Sequence, residues 1–239
     1  MANWLMQVFG KGKEKRAKRG DEMELVSIIT KETTYIGTII GNNSVRVDGV
    51  VEGDIKVNGV VFVSLSGEVK GDIKAKQVVC EGRIKGSVKA DNFEILTNGS
   101  CDGDVQVNKV LVKGELKGNL IGGGLFIDTG GDVIVSAQVK KVVTAGLLEG
   151  NVACKELKTL PTSILRGQIF ADEIENEGGK LECYIGRYSD LAKQSKVAAY
   201  YLNLFESRSD YILLEDKEID VDIESEIEES KRGKEADEE

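Results

Sequence analysis

Pairs of glycines four residues apart recur along most of this chain, and each second glycine is followed by a small polar residue and then an aliphatic one. Successive second glycines lie 18, 15, 17, 15 and 32 residues apart, and the last interval equals two repeats. A repeat this regular indicates a stacked, repetitive architecture. The pairs are Gly49/Gly53, Gly67/Gly71, Gly82/Gly86, Gly99/Gly103, Gly114/Gly118 and Gly146/Gly150, with degenerate copies at Gly131/Val135, Ser163/Gly167 and Gly179/Cys183.

Apolar residues alternate with polar ones inside each repeat. Alternation with a period of two predicts β-strands with one buried face, and the apolar runs of three to five residues predict short strands. Two residues before the second glycine stand Val51, Val69, Ile84, Cys101, Leu116, Val133, Leu148, Leu165 and Leu181. Two residues after it stand Ile55, Ile73, Val88, Val105, Leu120, Ala137, Val152, Ile169 and Ile185.

The length of the repeat distinguishes between architectures made of short strands. A β-sandwich needs hairpins, with turn signals about every 8–12 residues. Here the whole unit recurs near every 16–17 residues with the same inward positions, which favours one coil per repeat. The sequence therefore predicts an all-β fold, a parallel β-helix of about nine rungs. At about 4.8 Å per rung the rod would be roughly 40 Å long.

Composition fits a thin solenoid and excludes several other classes. The chain has 28 glycines, one proline and 5% aromatic residues among 239. No run of 18 uncharged apolar residues is present, so no segment is expected to span a membrane, and no secretory signal is visible. Four cysteines, Cys80, Cys101, Cys154 and Cys183, lack the spacing of a metal site and are interpreted as reduced core residues. We expect neither a metal nor a cofactor.

The repeats resemble those of the bactofilins, which are bacterial cytoskeletal proteins. The resemblance rests on Thr34-Tyr35-Ile36-Gly37 and on the stretches 47–56, 66–75 and 82–90; it covers residues 34–122 well and 123–185 loosely. It implies a right-handed parallel β-helix that polymerises end to end without nucleotide into non-polar filaments. It also implies a role in cell shape and a short N-terminal membrane-targeting stretch. This rod is longer than the usual family domain, and a C-terminal segment follows it.

Four regions are predicted. Residues 1–33 form an N-terminal membrane-targeting or flexible segment, 34–185 the β-helix rod, 186–214 a helical capping segment and 215–239 an acidic disordered tail. Residues 188–205 carry one apolar helical stripe, which can cap or flank the last rung or bind a partner. The tail holds a net charge of −9, equal to that of the whole chain, so the rest sums to zero. The apolar helical stripe in residues 188–205 consists of Tyr188, Leu191, Ala198, Leu202 and Phe205.

The N-terminus combines an apolar face with a basic run. This pattern is typical of a peripheral protein that lies on an anionic lipid leaflet. We expect attachment to the inner face of the cytoplasmic membrane, with weak single contacts reinforced by avidity in a filament. The candidate membrane-targeting residues are Trp4, Leu5, Val8, Phe9, Lys11, Lys13, Lys15, Arg16, Lys18 and Arg19.

The ends of the rod are the candidate polymer interface. The chain contains no GxxxxGK[ST] motif, so assembly is expected to need no nucleotide. Tyr35, Ile36 and Ile39 are predicted to lie near the first rung, and Phe170, Ile174 and Leu181 near the last.

Enzymatic alternatives are weaker. A left-handed β-helix acyltransferase would repeat in hexapeptides and use a histidine base, and this chain has no histidine. A carbohydrate-active β-helix would need clustered acids; Asp54, Asp72 and Asp104 occupy equivalent corners, where turn chemistry or a bound cation also accounts for them. We therefore expect a non-enzymatic scaffold. The alternative is a β-helical adaptor that recruits a cell-envelope or peptidoglycan-related protein.

One further surface feature is a lysine stripe. Lys56, Lys74 and Lys89 occupy the same position in successive rungs. The stripe either contacts an acidic surface or is a solvated face that discourages lateral association. It is short and lacks interleaved aromatic residues, so no nucleic-acid partner is expected.

Overall fold

The structure is a computed structural model and describes residues 26–188. The candidate membrane-targeting residues, most of the predicted C-terminal helix and the acidic tail lie outside the described residues. Residues 26–188 contain no helix that is both long and apolar enough to cross a bilayer. The strands are β1 Val26–Ile29, β2 Thr34–Ile36, β3 Ile39–Gly41, β4 Ser44–Val47, β5 Val50–Glu52, β6 Ile55–Val57, β7 Val60–Val63, β8 Glu68–Lys70, β9 Ile73–Cys80, β10 Arg83–Lys85, β11 Val88–Ile95, β12 Ser100–Asp102, β13 Val105–Val112, β14 Glu115–Ile127, β15 Asp132–Thr144, β16 Leu147–Thr159, β17 Ile164–Asn176 and β18 Lys180–Gly186.

Successive coils of the chain stack in parallel, so the fold is the predicted all-β parallel solenoid. In the first turn, β1, β2 and β3 pair with β4, β5 and β6 of the second turn. We call the three sides that begin with these strands side 1, side 2 and side 3. The same pairing continues to β18, which pairs with β17. All residues in one position of the turn therefore form a ladder along the rod.

The rod has about ten turns, one more than the nine repeats counted in the sequence. The additional turn is the first. Thr34 of β2 pairs with Val50, which places Thr33 where the later turns have the first glycine of the pair. A count based on glycine pairs therefore does not include this turn. It also includes β1, which begins before the rod boundary predicted at residue 34.

One continuous apolar core fills the interior. The inward ladder on side 2 contains Val51, Val69 and Ile84, and each is at most 1% exposed. Aliphatic and β-branched side chains suit such ladders because they pack well against identical neighbours on a pleated surface. The predicted inward positions are confirmed through most of the rod.

Glycine is required at the corner between side 2 and side 3. Gly71 has a φ of 155°, and a Cβ placed there would lie 2.4 Å from the carbonyl oxygen of Gly53 in the preceding turn. Gly86 repeats this contact against Gly71. The corners therefore approach each other so closely that a side chain does not fit. In the seventh turn, Val135 occupies this corner in place of a glycine. Between residues 26 and 188, Glu32 is the one non-glycine residue with positive φ.

The later strands are longer than the alternation pattern predicts. β14 to β17 contain 13 residues each, because backbone pairing there continues from side 2 through side 3 to side 1. The corner residues themselves stay in register, as Gly118 does with Val135 and Gly150 with Gly167.

Candidate polymer interface at the rod ends

The first turn ends in an open sheet edge within the described residues. β1, β2 and β3 each pair with one strand, and that strand lies in the second turn. Their other edge presents backbone N–H and C=O groups that a further strand could pair with.

The three residues predicted at this end lie in the first turn. Tyr35 and Ile39 continue the inward ladders, and Tyr35 is nevertheless 39% exposed because residues 26–188 form no earlier turn that would cover it. Ile36 faces outward from side 2 and is 76% exposed. Val26 and Ile28 in β1 are also exposed apolar residues, although the sequence interpretation did not single them out.

The opposite end of the rod also has an open sheet edge with partly exposed apolar residues. β18 pairs with β17, and residues 173–176 pair with β16 on one side, within the described part of the chain. Ile174 and Ile185 occupy inward ladders and are each 40% exposed, while Leu181 is half-buried. Ile185 was not among the predicted interface residues, although its place two residues after Cys183 marks it as a ladder position.

Phe170 also lies near this end, but on the outer surface of the rod. It belongs to the ninth turn, faces outward from side 3 and is 2% exposed. Its ring meets that of Tyr184 edge-on, with the ring centroids 6.1 Å apart. The residue therefore packs under the last strand and is not part of the open edge.

One corner of the last turn is polar. The ladder on side 1 changes from Ile127 to Thr144, Thr159 and Asn176. Asn176 Oδ1 accepts hydrogen bonds from the backbone N–H groups of Gly178 at 2.9 Å and Gly179 at 2.7 Å, and from the Thr159 hydroxyl at 2.9 Å. The side chain of Asn176 thus holds the loop that closes this turn, and it occupies a ladder position that is aliphatic in earlier turns.

The corner aspartates connect adjacent turns. Asp54 Oδ1 accepts a hydrogen bond from the Asp72 backbone N–H at 3.0 Å, and Asp72 Oδ1 accepts one from the Ser87 N–H at 2.8 Å. Asn119 Nδ2 donates to Asp104 Oδ1 at 2.8 Å. The interpretation of these residues as turn chemistry is supported, since each carboxylate binds the corner of the following turn. No group of three or more potential metal ligands occurs among residues 26–188.

The lysine stripe borders a surface groove on side 3. Lys56, Lys74 and Lys89 are paired in register in the second to fourth turns. The groove has a volume of about 310 Å³, and Asp72 and Asp104 also line it. Acids and bases therefore alternate along this surface.

Ion pairs also stabilise the outward ladder on side 2. Lys70 Nζ lies 2.9 Å from Glu52 Oε1 in the preceding turn, and this contact raises the pKa of Lys70. Lys85 Nζ lies 2.9 Å from Glu68 Oε1. Exposed pairs of this kind contribute little to stability because water and salt screen them, so the apolar core supplies most of the stability of the rod.

The cysteines are structural thiols. Cys80, Cys101 and Cys154 are free and buried, and Cys183 is free and half-buried. Burial raises the pKa of Cys80 and of Cys154 to about 12, and it also raises that of Cys101. The buried thiols are therefore protonated at neutral pH and poorly reactive.

An outward apolar cluster was not predicted. Leu111, Phe126 and Val143 form a ladder on the outer surface of side 1 in the sixth to eighth turns, yet each is only 4–5% exposed. Leu160 packs against them. The alternation pattern offered one signal, because apolar residues occupy both inward and outward positions in 110–112, 125–127 and 142–143.

Comparison with known families agrees with the architecture. A family model described as "Bactofilin: Polymer-forming cytoskeletal" matches residues 27–113 and again residues 106–185. Searches among curated proteins and among solved structures gave no match. The long rod thus corresponds to two overlapping matches to one family model. Since these matches extend over residues 27–185, most of the chain, the protein belongs to the bactofilin family.

Proposed function

We propose that this protein is a non-enzymatic cytoskeletal scaffold that assembles into filaments by end-to-end stacking of its rods, without nucleotide. The observation that carries the proposal is the pair of open ends. At each end the inward apolar ladders continue to the last described turn, where Tyr35 and Ile174 are each partly exposed. The family's description as polymer-forming supports self-association.

Stacking would continue the interactions that hold the rod together. A second copy would place strands about 4.8 Å from the open edge, pair its backbone groups and bury its apolar side chains. The coil is expected to be right-handed, as are about 98% of parallel crossover connections.

Attachment to the inner face of the cytoplasmic membrane is the second part of the proposal. It rests on the sequence of residues 1–20, where the apolar group with Trp4 and Phe9 precedes six basic residues. One such segment binds weakly, whereas a filament carries many and binds by avidity.

Electron microscopy and sedimentation of the purified full-length protein test the assembly. We expect filaments with and without ATP or GTP. A protein that stays monomeric under all conditions would support the adaptor alternative, in which the rod recruits a cell-envelope protein. Assembly that occurs only with nucleotide would contradict the proposal.

A further inference from the structure

The outer surface of the rod has one apolar region that is buried although its side chains face outward. It includes the cluster of Leu111, Phe126 and Val143 on side 1. Across the corner formed by Gly122, Gly123 and Gly124 it continues to Ile121 on side 3. A Cβ on Gly124 would lie 2.7 Å from Phe126 Cε2, so the phenylalanine ring lies over this glycine and leans toward the corner. We call this region the glycine-corner patch.

The burial of the patch requires a covering group. Outward side chains on a solenoid face are normally exposed to solvent. Ile134 on side 2, for example, is 40% exposed. Phe126 is 5% exposed. Among residues 26–188 the hydrophobic residue packed against the cluster is Leu160, which follows β16 two turns beyond Phe126. One leucine at the edge is too small to cover three turns.

The end of the described chain points toward this patch. Gln138 Nε2 donates a hydrogen bond to the Tyr188 hydroxyl at 3.3 Å. Gln138 lies on side 3 of the seventh turn, three steps or about 14 Å back from Gly186 in the last turn. The two residues from Gly186 to Tyr188 span at most about 7 Å, so the tyrosine side chain reaches back along the rod toward Gln138. Its hydroxyl thus lies one turn from the register of Ile121.

The sequence that follows has the length and character to cover the patch. Leu191, Ala198, Leu202 and Phe205 share one helical stripe with Tyr188. A helix over 191–205 would be about 22 Å long, enough to cross four solenoid turns. The N-terminal segment is less well placed, because it joins the rod at Val26, six turns or about 29 Å from Phe126.

We propose that residues 189–205 fold back as an amphipathic helix and dock on the glycine-corner patch of the same chain. The small corner residues allow close approach, and the apolar stripe covers Phe126 and its neighbours. The C-terminal segment then flanks the rod and leaves its last turn open for stacking. This inference does not depend on filament formation.

Hydrogen exchange of the full-length protein, read by mass spectrometry over 191–205, tests the docking. We expect protected amides in the parent and exchange faster by roughly tenfold or more in Phe126→Ser and in Leu202→Glu. Two matched variants should leave the protection unchanged. Phe62→Ser alters the outward phenylalanine of the same ladder in the third turn, and Asn203→Glu adds the same charge beside the stripe. Protection of the strands in all variants confirms a folded rod.

Three results would overturn the proposal. Amides over 191–205 that exchange freely in the parent would show that no docked helix exists. Protection that rises with protein concentration would assign the patch to a second copy. Protection that survives Phe126→Ser, or a Phe126 environment altered by deletion of residues 1–20 and not by Leu202→Glu, would place the covering group elsewhere.

Discussion

The Asp72 carboxylate accepts a hydrogen bond from the backbone N–H of Ser87 in the next turn, at 2.8 Å. This contact accounts for the acidic residue that so often follows the second glycine of a pair. The corner N–H points back toward the preceding turn, where the regular ladder supplies no carbonyl for it. A short side chain with an acceptor oxygen fills that need and connects consecutive turns.

Removing this acceptor should weaken the rod modestly. Asp72→Ala is expected to lower the free energy of unfolding by about 0.5–1.5 kcal/mol, the usual contribution of one hydrogen bond. Urea denaturation followed by circular dichroism measures the change. Asp102→Ala, on the outward ladder of side 2, is the control and should have little effect. An equal fall in the free energy of unfolding of both variants would show that the hydrogen bond at the corner adds no stability beyond that of an ordinary surface aspartate.

A side chain at the glycine corner should be much more damaging. Gly71→Ala places a Cβ against the Gly53 carbonyl at a positive φ, and we expect a loss of roughly 2–4 kcal/mol in the free energy of unfolding. Gly41→Ala is the matched control, since its Cβ would meet nothing closer than 4.0 Å. Thermal unfolding of both variants gives the comparison, and a parent-like stability of Gly71→Ala would refute the close-contact argument.

Charges at the rod ends should block assembly while leaving the rod folded. Tyr35→Asp and Ile174→Asp each place a carboxylate where stacking would remove it from water, at a cost of several kcal/mol. Sedimentation should show loss of polymer, with a β-rich circular dichroism spectrum retained. Ile134→Asp, on the flank of the rod, is the control and should still polymerise. Filaments that persist with both ends charged would indicate lateral assembly.

The N-terminal apolar residues should carry membrane binding that salt does not remove. Changing Trp4 and Phe9 together to Ser removes apolar burial of about 25 cal/mol per Å², whereas the basic run is screened within about 8 Å at physiological ionic strength. We expect the variant to be released from anionic liposomes while filaments still form. If it co-sediments like the parent, the lysine stripe becomes the better candidate for the contact.

The buried thiols make stability depend on alkaline pH. The pKa of Cys80 is about 12 in the folded chain against an ordinary value of 9.0. Between these values the unfolded chain binds fewer protons, so the free energy of unfolding falls as pH rises, by up to about 1.4 kcal/mol per pH unit. Cys80→Val, which fits between Val63 and Ile95 of its ladder, should flatten that fall. An unchanged slope in urea titrations from pH 9 to 11 would show that the Cys80 thiol does not contribute to the fall.

The local pattern was sufficient to predict the ladders but not the features that depend on distant parts of the chain. Val51, Val69 and Ile84 are inward because alternation and glycine spacing fix the register. The first turn was missed because Thr33 stands where a glycine was required by the count.

Burial on the outer surface needed information from far along the sequence. Phe170 was placed at the rod end by position, yet it faces outward and is covered through Tyr184, which the chain brings over it one turn later. The hydrogen bond between Gln138 and Tyr188 joins residues 50 positions apart, and no local periodicity encodes that contact.

Because similar turns stack at a constant spacing, the length of the rod is proportional to the number of turns. Each added turn lengthens it by about 4.8 Å and leaves the chemistry of both ends unchanged, so about ten turns set a span of about 48 Å. In a filament of such rods, the number of turns per chain would fix the spacing between neighbouring membrane attachments, and with it the density of anchors per unit length.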